Sequence, residues 1–338
     1  MKQSVFLGTL TVAGLAAGIA SAATLDDVKA RGELNCAVST GLTGFSLPDA
    51  NGNWTGFDVS FCRAVAAAVL GDGSKVKFVP TTGQTRFTAL ASGEVDLLAR
   101  NSTWTFSRDT DLKLDFVGVN YYDGQGFMVR KDLGVTSAKE LDGATVCIQT
   151  GTTTELNLAD WFKVNNLSYT PVAVETNAEG EQQYAAGACD AYTTDASGLA
   201  ATRAAFADPE NHIILPEIIS KEPLGPATRH GDNEWTDIVR WTLNALIAAE
   251  EYGVTSANME ELAASSPNPE IRRLLGVEGD LGPMIRLDKD WAKRAIAVGG
   301  NYGEIFAATI GEATPIGLAR GLNAQWTQGG LLYAPPFR

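Results

Sequence analysis

The chain has 338 residues, a formal net charge of −14, 45% hydrophobic residues and four cysteines. So acidic a balance excludes a nucleic-acid-binding role and repels anionic membrane surfaces. Its aliphatic and aromatic content is that of a folded chain, and its length is enough for two domains, each with its own core.

Residues 1–23 read as a signal peptide. Lys2 supplies the positive start, residues 5–20 are apolar or small apart from two threonines, and Ala20-Ser21-Ala22 offers a cleavage site of small residues. No basic stop-transfer flank follows, and no other stretch approaches the roughly 20 apolar residues that spanning a bilayer requires. The expected product is exported and soluble and begins near Ala23 or Thr24. Without Lys2 it is one unit more negative than −14.

Beyond the leader, strand-like and helix-like segments alternate, which argues for an α/β fold. Residues 36–38 read as a strand. Residues 58–70 read as a helix with Val59, Cys62, Val65, Ala66 and Val69 on one face. A strand at 76–79, a helix at 84–92 and a buried strand at 95–99 follow. The last strand's carboxyl end presents Arg100, Asn101, Ser102 and Thr103, and Thr105 is placed to cap a helix carrying Arg108 one turn in. In open α/β sheets, ligands sit outside the carboxyl ends of strands. An arginine fork pairs a carboxylate through two charge-assisted bonds.

Residues 121–131 read as an extended crossing, with Gly124 and Gly126 as permissive points. The pattern then restarts with a strand at 145–149 and a helix at 151–161, where Thr152 and Glu155 have capping-box spacing. A strand at 169–174, a helix to 186, a strand at 189–192, a helix at 196–206 and a short strand at 213–215 follow. Pro223-Leu224-Gly225-Pro226 reads as a second crossing, back to the first lobe. Residues 235–252 form an amphipathic helix with Ile238, Trp241, Ala245 and Ala248 in one stripe. The last ~85 residues are helical segments broken by Gly and Pro. Two crossings side by side make a hinge.

Four cysteines allow three pairings. Cys36–Cys62 and Cys147–Cys189 are favoured, because each closes a loop within one lobe, for about 3–4 kcal/mol apiece. The other pairings would join the lobes. No CxxC or Cys/His cluster appears, so no metal site is expected.

Several motifs, in order, carry a resemblance. Gly52-Asn53-Trp54-Thr55-Gly56-Phe57-Asp58-Val59, Arg86-Phe87-x-x-Leu90-x-x-Gly93-x-x-Asp96, Thr105-x-x-Arg108, Gln149-Thr150-Gly151-Thr152-Thr153 and Asp190-Ala191-Tyr192-Thr193-Thr194-Asp195 resemble those of periplasmic polar amino-acid-binding proteins of ABC transporters. The C-terminal SKEPLGPATRHGD, RRLLG, GNYGEIF and RGLNAQW resemble the long general L-amino-acid or glutamate/glutamine/aspartate/asparagine subgroup.

The resemblance implies a two-lobed type II periplasmic-binding-protein fold with two hinge crossings and a helical C-terminal extension. Residues 24–122 and 227–338 would form lobe one with the extension, and 125–223 lobe two. It implies a monomer without cofactor that captures a polar L-amino acid and delivers it to an ABC permease. Arg108 would pair the ligand α-carboxylate, helped by Thr103 and by Thr153 and Thr154 at a helix N-terminus. Asn101 and Asp195 would take the α-ammonium, although Asp195 could equally cap the helix that follows it. Arg86 and Arg100 would read an acidic or amide side chain. Phe45 would pack on the ligand, and Leu42 stands where relatives often have a stacking tyrosine. The competing reading is an enzyme on the same fold, such as a small-carboxylate dehydratase. That chemistry needs a placed acid or base, and the two histidines, His212 and His230, lie outside these motifs.

Overall fold

In the computed structural model, which describes residues 23–338, one chain builds two five-stranded sheets in succession. The signal-peptide expectation, Ala23 apart, lies outside the described residues.

The first half runs α1 (Thr24–Arg31), β1 (Leu34–Ser39), a small hairpin of β2 (Leu47–Pro48) and β3 (Trp54–Thr55), α2 (Phe57–Leu70), β4 (Val76–Thr81), α3 (Arg86–Ser92), β5 (Leu97–Leu98), α4 (Phe106–Thr110) and β6 (Leu114–Phe116). Helix α2 is apolar nearly all round because it is buried nearly all round, between the sheet and the C-terminal helices. Gly71, at φ 73°, ends it in the left-handed conformation and returns its N–H to the Ala67 carbonyl.

The expectation of one extended crossing over 121–131 is corrected. The segment divides into β7 (Tyr121–Asp123), which lies in the hinge, and β8 (Gln125–Arg130), a fully paired strand of the second sheet. Gly124 is the joint: a Cβ there would lie 2.3 Å from Ile218 Cγ2, so only glycine passes. Buried Phe127, Met128 and Val129 need sheet neighbours on both edges, and β11 and β12 supply them once the chain has gone on.

The second half continues with β9 (Ala144–Gln149), α5 (Thr153–Val164), β10 (Tyr169–Val174), α6 (Asn177–Ala185), β11 (Ala191–Asp195), α7 (Ala196–Ala205) and β12 (His212–Ile214). Cys189, expected to open β11, precedes it. The capping box lies at α6, between Thr176 and Glu179. At α5 only half of one forms: Thr152 accepts from the Glu155 N–H, but the Glu155 carboxylate takes the Gly151 N–H instead of the Thr152 N–H.

The return passes through β13 (Glu222–Leu224), paired antiparallel with β7, and β14 (Ala227–Arg229), which re-enters the first sheet. The sheet orders are β4-β1-β5-β14-β6 and β10-β9-β11-β8-β12. In each, three parallel strands are extended by an antiparallel one: β14, from beyond the second crossing, in the first sheet, and β8, from the start of the second half, in the second.

Helix α8 (Asn233–Glu251) lies against the first sheet with Trp235, Ile238, Leu243 and Leu246 buried. The extension adds α9 (Met259–Ser265), α10 (Pro269–Leu274), α11 (Leu281–Met284), α12 (Trp291–Ala297) and α13 (Tyr302–Thr309). Trp291, Ile296, Ile305 and Phe306 join the core of the first half. The extension also reaches the hinge. Asn323 accepts from the Tyr122 N–H at 2.6 Å and donates to the Tyr122 carbonyl at 3.1 Å, and Tyr302 Oη donates to the Asn120 carbonyl at 2.8 Å. Disulfides join Cys36 to Cys62 and Cys147 to Cys189, each within one half.

Candidate functional site

The carboxyl ends of β5 and β11 face each other across the crossing. After β5 the chain carries Arg100, Asn101 and Thr103 toward the hinge, where Thr103 bridges to Leu224 of β13 and the Trp104 N–H bonds to Pro223. Thr105 caps α4 by accepting from the Arg108 N–H at 3.2 Å, which fixes where the Arg108 side chain leaves the helix. From the second sheet, the loop after β9 supplies Gln149 and Thr152 to Thr154, and the end of β11 supplies Thr194 and Asp195.

Between these ends lies a small cavity of about 20 Å³ bordered by Arg86, Arg100, Asn101, Thr103, Gln149, Thr152, Thr153, Thr154, Thr194 and Asp195. That is room for about one water, so any larger ligand requires the halves to part. They touch through Thr103 Oγ1 and Thr153 Oγ1 at 3.2 Å, Asn101 Nδ2 to Asp195 Oδ2 at 3.4 Å, and Gln84 Nε2 to Thr150 Oγ1 at 3.2 Å.

Seven of the nine expected ligand residues thus line one cavity. Arg108 stands just behind it, donating from Nη1 to the Thr103 carbonyl at 2.9 Å, with its guanidinium 4.9 Å from the Phe87 ring centroid. Phe45 is placed elsewhere. It is 1% exposed and packs edge-on against Phe57 and Tyr121, so its expected contact with ligand gives way to a core role among aromatic neighbours. Leu42 is likewise buried in the core. Asp195 is the N-cap residue of α7 by position, but its side chain makes no capping bond and is free for the cleft.

The site concentrates buried charge. Arg86, Arg100 and Arg108 supply three guanidinium groups, and Asp58, Asp123, Asp195 and Glu222 four carboxyls. Burial pushes Arg100 and Arg108 down to about 10, and burial with the like charges of its two neighbours pulls Arg86 well down. Burial pushes Asp58 up to about 7 and Asp123 up to about 6. Asp195 is raised well above the ordinary carboxylate range by burial and by the nearby charges of Asp123 and Glu222. A cation delivered beside Asp195 would relieve that repulsion. Two buried polar atoms, Arg86 Nε and Asn101 Oδ1, have no hydrogen-bond partner among the described residues. Arg100 directs Nε to the Thr81 carbonyl at 3.0 Å, and Arg86 spans the cleft from Ser102 Oγ to the Gly151 carbonyl. The arrangement can therefore hold a small molecule bearing both signs of charge.

Asp58 and Glu222 carry no role in the sequence reading. Asp58 stands in the quoted Gly56-Phe57-Asp58 motif, and its carboxylate accepts from the Asn101 N–H at 3.3 Å. A carboxylate in the first turn of a largely apolar helix is the signal that could have found it. Glu222 had no such signal beyond its place before the second crossing.

The comparisons agree with this geometry. Residues 34–258 match the bacterial extracellular solute-binding proteins, family 3. The glutamate/glutamine/aspartate/asparagine-binding protein BztA of Rhodobacter capsulatus is 72% identical over 338 residues, covering all of both chains. The general L-amino acid-binding periplasmic protein AapJ of Rhizobium johnstonii is 58% identical over 342 aligned positions, again covering both chains fully. A solved periplasmic binding protein from Brucella ovis with glutathione bound superposes with a TM-score of 0.92 at 57% identity, covering 94% of this chain and 100% of that one.

Proposed function

The chain belongs to the bacterial extracellular solute-binding proteins, family 3, and on that premise we propose that it captures a polar L-amino acid between two closing lobes and delivers it to an ABC permease. The type II fold is that of its structural relatives. In this reading the mature protein is periplasmic, released by its signal peptide, and works as a monomeric binding protein without catalysis. Residues 24–122 with 227–338, and residues 125–223, move as the two halves. Glutamate, glutamine, aspartate and asparagine are the favoured ligands, and the alternative is general uptake of L-amino acids. The names of the two relatives divide along the same line. Glutathione, bound by the Brucella ovis protein, itself carries a glutamyl α-carboxylate and α-ammonium.

One observation carries the proposal. Asp195 comes from the second half and Arg86 and Arg100 from the first, and all three line one interlobe cavity, with buried Arg108 of the first half behind it. A zwitterion is costly to desolvate unless each charge is paired. Here full pairing exists only when the halves meet, so differential contact favours the closed form. Arg108 would take the α-carboxylate, Asp195 and Asn101 the α-ammonium, and Arg86 or Arg100 the side chain. The first turn of α5, with Thr153 and Thr154, adds helix N-terminal N–H groups. The histidines lend the enzyme reading no support: His212 is spent on Tyr184 Oη at 3.0 Å and His230 faces Asp115, both away from the cleft.

The test is isothermal titration of refolded, ligand-stripped mature protein with L-glutamate, L-glutamine, L-aspartate, L-asparagine, L-histidine, L-leucine and glutathione. Micromolar or tighter binding, about −8 kcal/mol, confined to the acidic and amide set assigns side-chain reading to the arginines. Equal binding of all L-amino acids makes the protein a general receptor. No heat from any amino acid refutes the proposal.

A further inference from the structure

The hinge strand β13 carries a carboxylate that touches both halves. Glu222 is 1% exposed, and both of its oxygens are engaged. Oε2 accepts from Thr103 Oγ1 at 2.5 Å and from Thr153 Oγ1 at 2.9 Å. Oε1 accepts from Asn157 Nδ2 at 2.7 Å and from Ser220 Oγ at 2.6 Å. Thr103 belongs to the first half, Thr153 and Asn157 to α5 of the second, and Ser220 to the hinge.

A threonine hydroxyl has one proton and two lone pairs. Thr103 and Thr153 each give that proton to Glu222. Their oxygens, 3.2 Å apart across the cleft, therefore face one another and the cavity with lone pairs only. Two acceptors, Thr103 buried and Thr153 half-buried, with no proton between them are satisfied by an N–H donor resting against both. A carboxylate oxygen in the same place would meet two lone-pair-bearing oxygens with the Glu222 carboxylate behind them. Thr154 offers no replacement proton. Thr152 Oγ1 donates to the Gln149 carbonyl, so in the 2.7 Å contact between the Thr152 and Thr154 hydroxyls Thr154 is the donor.

We infer that Glu222 is a positioning residue for specificity: it fixes Thr103 and Thr153 as a pair of acceptors and reserves that part of the cleft for an N–H group of the ligand, its α-ammonium or a side-chain amide. The inference rests on the amino-acid reading above and revises one part of it. Ligand carboxylates fall to the guanidinium groups and to the backbone N–H groups at the start of α5, while the two threonine hydroxyls receive nitrogen.

The test is calorimetry of ligand-stripped mature protein and its Glu222→Gln variant with L-glutamine, L-glutamate and glutarate, which has carboxylates but no N–H. An amide at position 222 that sets its NH2 against the threonine pair donates there and turns one threonine proton toward the cavity. If the α-ammonium occupies the pair, L-glutamine and L-glutamate both weaken about tenfold or more in the variant while glutarate holds or gains. If the side-chain amide occupies it, L-glutamine alone weakens. A fall by the same factor for all three ligands, or changes within twofold for all, overturns the inference. Thr153→Val and Thr153→Ser repeat the test with Glu222 itself left in place. Valine should lose the N–H-bearing ligands and serine should restore them, and a serine variant as weak as the valine one also overturns the inference. A wild-type protein that binds no amino acid refutes the functional reading itself, before any variant is compared.

Discussion

Gly83 gives a way to penalise closure without touching the ligand. It stands in the first half, where the loop after β4 meets the loop after β9. A methyl group there would lie 2.6 Å from the Thr150 carbonyl oxygen and 3.2 Å from Thr152 Cγ2, both in the second half. Gly83 is not among the glycines with positive φ, so alanine suits its own backbone. The clash in Gly83→Ala exists only when the halves meet. Ordinary contact begins at 3.4 Å, so relief requires a separation of about 0.8 Å at that point. Overpacking of this kind costs about 1–3 kcal/mol, here borne by the closed form alone. The expected result is a Kd roughly 5- to 150-fold weaker, with the ligand-free melting temperature unchanged. Calorimetry with the best wild-type ligand and a thermal melt of the ligand-free protein measure the two quantities. A Kd within twofold of wild type would refute closure as the binding step. An equal drop in the ligand-free melting temperature would mean that the methyl group strains the first half itself.

Removal of the Arg108 guanidinium in Arg108→Ala leaves a buried ligand carboxylate unpaired and should cost about 3–5 kcal/mol of affinity; a loss below tenfold removes Arg108 from the site. Each disulfide closes a loop within one half, with sequence separations of 26 and 42, so loop entropy assigns them about 3.5 and about 4 kcal/mol. Urea unfolding of Cys36→Ser/Cys62→Ser and Cys147→Ser/Cys189→Ser variants should show losses of that size, and losses under about 1 kcal/mol would contradict this account. Burial raises the Asp58 carboxyl from its ordinary 3.8 to about 7, against the lowering pull of the Asn101 N–H and Arg100. The folded protein then keeps a proton that the unfolded chain has released. The stability contributed by this group is full below about pH 4 and is lost as pH rises toward 7. Asp58→Asn keeps an acceptor for Asn101 and should flatten that decline in a melting-temperature series; parallel profiles for variant and wild type would show that Asp58 does not titrate in the window.

Much of this molecule is legible locally. The helix carrying Trp241 follows the 3.6-residue period, the helix carrying Cys62 is a longer, nearly all-apolar run, and the strands beside Cys36 and Cys147 read as short apolar runs, because burial imprints directly on sequence. The Arg100-to-Arg108 stretch reads locally as a strand end followed by a capped helix, and the structure has both, β5 and α4 with Thr105 as its cap. What failed to show depended on partners far away in the chain. Phe127 to Val129 form an apolar run that suits a crossing or a strand until β11 and β12 are known to flank it. Phe45, expected against the ligand, packs instead against Phe57 and Tyr121, aromatic neighbours 12 and 76 residues further along the chain. Glu222, set between Lys221 and Pro223, looks like a solvated loop carboxylate. Its four donors come from residues 103, 153, 157 and 220, a grouping that no local pattern announces.

The side chain of Asn323 completes the hydrogen bonding of Tyr122 as a neighbouring strand would, since it engages both the N–H and the carbonyl of one residue. An exposed strand edge invites pairing with another chain, and here a single amide blunts it. There is also a mechanical consequence. Rotation about the backbone at Tyr122 must either break both bonds or drag the whole C-terminal extension along. The extension shares the core of the first half, so dragging it is the costlier course. The pivot on this strand is therefore pushed past Tyr122, to Asp123 and Gly124. The extension acts as a splint: it shortens the flexible part of the hinge and so narrows the arc through which the second half can swing.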